Sequence, residues 1–85
     1  MSEDDIIHLK CWPNSFQAMK LGPKTFEYRK YDRPYEVGKR IRQHEWIPET
    51  KIYTGDTLDQ KITYLLMDGQ FGIPEGYCIM AVIPV

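Results

Sequence analysis

The sequence has no apolar run approaching the roughly 20 residues that cross a bilayer, and it has few of the residues that build metal or covalent chemistry. Its two cysteines, Cys11 and Cys78, lie inside separate apolar segments. That is neither the close spacing of a zinc site nor the number of a disulfide framework, so both are expected as buried free thiols. The two histidines, His8 and His44, stand far apart with no second ligand at helix or hairpin spacing, and no metal or cofactor is expected. No serine or cysteine has a recognisable base beside it, so a nucleophile–base pair is missing. Internal repeats and low-complexity segments are also missing.

The start, Ser2-Glu3-Asp4-Asp5, is acidic where a secretory leader would be basic and then apolar. Residues 1–6 are therefore expected as a flexible acidic terminus of a cytoplasmic protein, and residues 7–85 as a single domain. Eighty-five residues bury one modest core, which leaves any ligand site to a surface cleft or a barrel face.

Net charge is −1, but it is unevenly distributed. From Lys20 to Arg42 there are eight basic residues against three acidic ones, a local balance of +5, and the rest of the chain carries −6. A patch acts locally because the opposite pole is screened within about 10 Å at 0.1 M salt. The asymmetry suits a phosphate-bearing partner, and a solvated face without a partner is the plainer alternative.

Alternation over Ile6 to Trp12, with Leu9 and Cys11 on one face, predicts a strand. Pro13 and Asn14-Ser15 open a helix of about two turns, carried by Phe16, Met19 and Lys20, ended by Gly22 and barred from continuing by Pro23. Thr25 to Tyr31 reads as a second strand. Arg40, Arg42, His44 and Trp46 alternate with Ile41, Gln43 and Glu45 in a third, which turns its two arginines outward. Ile47 to Asp56 reads as an extended hairpin connection, and Gln60 to Leu66 as a further strand with Ile62, Tyr64 and Leu66 on one face. Met67 to Gly76 is a glycine-rich loop, a connector or a lid, before a last strand from Tyr77 to Ile83. Five or six strands with one short helix after the first fit a small, mainly β (α+β) barrel, whose closure removes exposed edges.

The most informative stretch is Gly22-Pro23-Lys24-Thr25-Phe26-Glu27-Tyr28-Arg29. It places two cations and a carboxylate just beyond a helix stop. On a strand, Glu27 and Arg29 share one face, and Phe26 and Tyr28 take the other. The spacing of Gly22, Lys24, Glu27 and Arg29 resembles the GxKxxExR signature of ASCH domains in the PUA-like superfamily. More of the chain, including His8-Leu9-Lys10, Trp12-Pro13, Asp32-Arg33, Val37-Gly38, Tyr53-Thr54-Gly55, Gly69-Gln70-Phe71-Gly72 and Gly76-Tyr77, is similar to DUF3850, a group of small bacterial and phage-associated proteins of undetermined function. The resemblance implies a PUA-like/ASCH β-barrel and RNA-related work, with a nucleotide or nucleobase held between helix and barrel against Lys24, Glu27 and Arg29. One ASCH branch is similar to amidohydrolases that deacylate modified cytidine, and that branch has Thr where this chain has Glu27. A second departure is Gln43, polar where relatives tend to be aliphatic.

The first functional reading is thus an RNA- or nucleotide-binding module, with single-stranded RNA favoured. Lys24, Arg29, Lys30, Arg40 and Arg42 track phosphates, while Trp12, Trp46 or Tyr77 offers a ring for a base. Lys10 joins the set because its strand runs beside the motif, and Gln70 and Tyr77 because the glycine-rich loop could close over the cleft. The second reading is a metal-independent hydrolase of a modified nucleoside or of RNA, with Glu27 as acid or base, Lys24 as base, nucleophile or electrostatic partner, and Arg29 at an oxyanion. A third is a phage or accessory domain that binds another protein. The plain alternative makes Glu27 and Arg29 a structural ion pair, worth about 0–1 kcal/mol if exposed.

Overall fold

A computed structural model describes residues 5–85. Of the acidic terminus expected over residues 1–6, residues 1–4 lie outside the described residues, and Ile6 already opens the first strand. The elements are β1 (Ile6–Cys11), α1 (Pro13–Leu21), β2 (Phe26–Lys30), β3 (Arg40–Ile47), β4 (Ile52–Leu66) and β5 (Tyr77–Pro84). They form one five-stranded sheet in the order β1-β3-β4-β5-β2, with β1 and β3 parallel and the other pairs antiparallel. The sheet curls into a half-barrel, so the protein is mainly β with one short helix after the first strand.

The inner face follows the alternation in the sequence. Ile7 and Leu9 of β1, Ile41 of β3, Ile62 of β4 and Cys78, Met80 and Val82 of β5 form the main core with Tyr35. Helix α1 lacks a side-chain N-cap, but Pro13 occupies its first turn, where a missing N–H costs nothing. Phe16 and Met19 pack it against Cys11 and Leu58, and fully burying two such side chains stabilises by about 1.5–3 kcal/mol each. The helix stops at Gly22, whose φ of +108° is left-handed and suited to glycine.

Two expectations are corrected. The segment read as a connection over Ile47 to Asp56 is mostly strand: β3 and β4 meet in a hairpin pairing Ile47 with Ile52, and β4 is 15 residues long. Its turn chemistry sits in Pro48 to Lys51, and Lys51 rather than a glycine takes the positive φ of +57°. Tyr64 and Leu66 do not share the inner face with Ile62, because a register shift between Ile62 and Tyr64 in the β4–β5 pairing inserts one residue. The face flips, so Leu65 and Met67 pack on the core and Tyr64 is exposed. The stretch between β2 and β3, which Asp32-Arg33-Pro34 and Val37-Gly38 mark as a connection, holds no regular element and adds Tyr35, 1% exposed, to the core.

Gln43 is part of a buried polar arrangement. Its Nε2 donates to Gln60 Oε1 at 3.1 Å, and Gln60 Nε2 lies 3.4 Å from Met19 Sδ.

Candidate functional site

Glu27 and Arg29 point to the inner side of β2, and Phe26 and Tyr28 point out, as the strand period requires. β2 therefore turns a polar face toward the barrel and an aromatic face to solvent. Glu27 is only 3% exposed, and burial of a carboxylate demands partners. Arg29 Nε donates to Glu27 Oε2 at 2.6 Å, and Lys24 Nζ lies 3.7 Å from Glu27 Oε1.

Lys24 is placed by the end of α1. Its N–H donates to the Ala18 carbonyl at 3.0 Å, closing the helix after Gly22, and its Nζ returns to donate to Ser15 Oγ on the same helix. Arg29 also spans the gap between the two edges of the sheet: its Nη2 donates to the Lys10 carbonyl of β1 at 2.8 Å. A second arginine repeats the device, with Arg33 Nη1 donating to the His8 carbonyl at 3.2 Å.

These groups line a cleft of about 280 Å³ formed by Lys10, Cys11, Trp12, Ser15, Lys24, Glu27, Tyr28 and Arg29. Trp12 at its rim is 61% exposed, while the Tyr28 ring, 51% exposed, points to the outer face of β2. Trp12 is thus not a core filler, whereas Trp46 is half-buried beneath Lys10 Nζ, 4.0 Å from its ring centre. Burial, and next the Glu27 charge, push the Cys11 thiol up from its ordinary value, which keeps it protonated and a poor nucleophile.

Of the residues singled out from the sequence, Lys10, Lys24, Glu27 and Arg29 meet in this cleft. Tyr77 stacks on Tyr28 with ring centres 5.4 Å apart, one layer away from it. The others stand elsewhere. Lys30 alternates to the outer, exposed side of β2. Arg40 and Arg42 lie on the outer face of β3, where Arg42 holds Asp59 bidentately through Nε at 2.7 Å and Nη2 at 3.0 Å, keeping that carboxyl below the usual carboxylate range. Gln70 folds onto its own loop, with Oε1 accepting from the Met67 N–H at 3.3 Å. Thr25 contributes its carbonyl to the Val82 N–H at 3.0 Å.

Residues 6–82 match the family described as "Domain of unknown function (DUF3850)". The chain belongs to the DUF3850 family. A curated relative, an "Uncharacterized 12.9 kDa protein in GpA 3'region" of Escherichia phage P2, is 34% identical over 58 residues, covering 68% of this chain and 51% of the relative. The chain thus spans about half the length of that relative. Among the described residues of this DUF3850 domain, no helix is long and apolar enough to cross a membrane.

Several groups in the DUF3850 domain were not singled out from the sequence. Ser15 carries a helix-start signal, yet it also meets Lys24. Glu45, 7% exposed, accepts from Thr54 Oγ1 at 2.9 Å and from Gln17 Nε2 at 3.2 Å. His8 and His44, expected to be isolated, approach to 2.8 Å between Nδ1 and Nε2. Only the β1–β3 register brings them together, and no local spacing announces it.

Proposed function

We propose that the DUF3850 domain is an RNA- or nucleotide-binding module with a PUA-like, ASCH-type cleft. The observation that carries the proposal is the exposed ring of Trp12 beside a charged floor of Lys24, Glu27 and Arg29 in one cleft. An unpaired base stacks on such a ring, worth about 1–3 kcal/mol. Glu27 retains lone-pair capacity beyond its two cations and accepts from an exocyclic amine of the base. Lys24 is the ammonium that faces a backbone phosphate.

A hydrolase is the second reading, because Ser15 Oγ and Lys24 Nζ are in contact within the cleft, as in serine–lysine enzymes. It is the weaker one. Lys24 donates in that contact and also faces Glu27, the reverse of what activating a serine hydroxyl requires.

Fluorescence anisotropy with labelled single-stranded RNA and DNA at two salt concentrations tests the binding reading. Wild type should bind RNA at about micromolar affinity, weakening with salt. Lys24→Ala should flatten the salt dependence by about one phosphate contact. No binding by wild type, or unchanged affinity and slope in Lys24→Ala, overturns it. Turnover of acylated nucleosides lost in Ser15→Ala would replace it with the hydrolase.

A further inference from the structure

A second groove, of about 400 Å³, opens on the outer side of β1 and β3 and is lined by His8, Leu9, Lys10, Arg33, His44 and Tyr53. Its position follows from strand alternation: Ile7, Leu9 and Cys11 point into the barrel, so His8 and Lys10 point out. In the parallel β1–β3 register His8 lies beside Arg42 and Lys10 beside His44. The two imidazoles are diagonal neighbours, with ring centres 5.1 Å apart and a tilt of 31°. Tyr53 stands edge-on to His44 at 6.2 Å.

Every charged side chain that lines this groove is cationic or can become so. Lys10 comes from β1, Arg33 from the segment after β2, and Arg42 stands beside the pair on β3. The nearby carboxylate, Asp59 on β4, is held bidentately by Arg42 and is not among the groove's lining residues. Tyr53, from the start of β4, adds a phenol. Among the described residues no group of three or more His, Cys, Asp or Glu could hold a metal ion. Two imidazoles without a third ligand, beside two permanent cations, select an anion over a cation.

The His8–His44 contact fixes the proton chemistry. With Nδ1 of one ring 2.8 Å from Nε2 of the other, the bridge holds one proton, donated by one nitrogen and accepted by its neighbour. The neutral pair therefore shows one N–H and one bare nitrogen on its remaining positions. One added proton converts that bare nitrogen to N–H and leaves the bridge intact, giving two donors and a positive charge. A second proton would place hydrogens on both bridging nitrogens and break the contact. The pair is thus a one-proton device. Lys10, Arg33 and Arg42 oppose that proton while the groove is empty of anions, and burial together with His8 and Arg42 holds His44 below its ordinary value.

We propose that this groove binds a phosphate group, free or as a phosphomonoester, and that binding loads one proton onto the His8–His44 pair. Tetrahedral phosphate presents acceptors in several directions, matching donors from the imidazoles, Lys10 and Arg33. The site is separate from the Lys24, Glu27 and Arg29 cleft, and does not depend on the reading given to that cleft, although Lys10 lines both.

The test is NMR of the histidine side chains in the full chain, across pH, with sulfate, inorganic phosphate, adenosine 5′-monophosphate or adenosine added. Sulfate is included because it does not titrate over this range. Sulfate, phosphate and the monophosphate should each raise the His44 midpoint by about one pH unit, and adenosine should not. Sulfate calorimetry in two buffers of different ionisation enthalpy should show proton uptake between the free and bound midpoints, at most about half a proton for a one-unit shift. His44→Gln should weaken phosphate binding by about tenfold and abolish the proton uptake. Lys20→Ala, a charge removed from the exposed helix surface, should change neither. The amide spectrum of each variant reports its fold in the same sample. Tighter binding of the monophosphate than of inorganic phosphate identifies an ester as the ligand, and equal binding identifies the free anion. No His44 response to any of the three anions, or full affinity and proton uptake in a folded His44→Gln, overturns the proposal.

Discussion

Arg29 donates through Nη2 to the main-chain carbonyl of Lys10 while its Nε holds Glu27. A side chain of one edge strand thus occupies a hydrogen-bonding position that a neighbouring strand would fill on the other edge. With Arg33 on the His8 carbonyl, the half-barrel is closed by guanidinium groups instead of a backbone ladder, and an exposed edge that invites foreign strands is partly covered.

Arg29→Ala should therefore cost more than an exposed ion pair. It strips the closest partner from a buried carboxylate, for which the loss is about 3–5 kcal/mol. Lys24 remains near Glu27 and moderates it, so about 2–3 kcal/mol is expected in urea unfolding. Adding Glu27→Gln to Arg29→Ala should recover part of the loss. A double variant less stable than Arg29→Ala would show that the seam, not the stranded charge, dominates.

Trp12→Ala should weaken RNA binding and spare the fold. Trp12 is largely exposed at the cleft, so little core packing is lost, while one stacking contact of about 1–3 kcal/mol disappears. Anisotropy should show a loss of affinity with the salt slope kept, in contrast to Lys24→Ala. An unfolded Trp12→Ala, or one binding as wild type, contradicts this.

Acidification should destabilise the protein through His44. Burial, followed by His8 and Arg42, holds this imidazole below its ordinary value, so the unfolded chain binds the proton more readily than the folded one. The resulting stability is fully present above about pH 6.5 and is lost as pH falls from there through the folded value. His44→Gln should remove this part of the pH dependence. Unfolding curves between pH 8 and pH 5 in a sulfate- and phosphate-free buffer check it, and equal slopes in both proteins would contradict it.

The glutamine pair should respond oppositely to single and double replacement. Gln43→Leu leaves Gln60 Oε1 without its donor in a buried site, which costs about 1–3 kcal/mol. Gln43→Leu with Gln60→Leu removes both polar groups, and also Gln43 Oε1, a buried oxygen with no hydrogen-bond partner. The double variant should be nearly as stable as wild type or more so, read as midpoints in guanidinium.

What the sequence disclosed tracks the range over which each feature is determined. β1, α1 and β2 were legible because alternation, Pro13 and the Gly22-Pro23 stop act within a few residues. Lys24, Glu27 and Arg29 were legible as a set for the same reason. The inversion at Tyr64 was not, because a bulge is a property of the β4–β5 pairing and leaves no mark on β4 alone. The contact of His8 with His44, the capture of Asp59 by Arg42 and the burial of Tyr35 likewise depend on long-range register. Gln43 showed an inward position but not its partner, Gln60, which the hairpin supplies.

Strand order also fixes when the fold can be completed during translation. β2 is made early, but its ladder is with β5, Phe26 against Ala81, so it waits without a strand partner while β3 and β4 form their hairpin. At ribosomal rates of about 5–20 residues per second, that wait lasts several seconds. Throughout it Glu27 lacks the wall that buries it, and the exposed Phe26 and Tyr28 belong to an unpaired strand. A nascent chain arrested before β5 would be a ligand for chaperones and not yet for anything the finished cleft recognises.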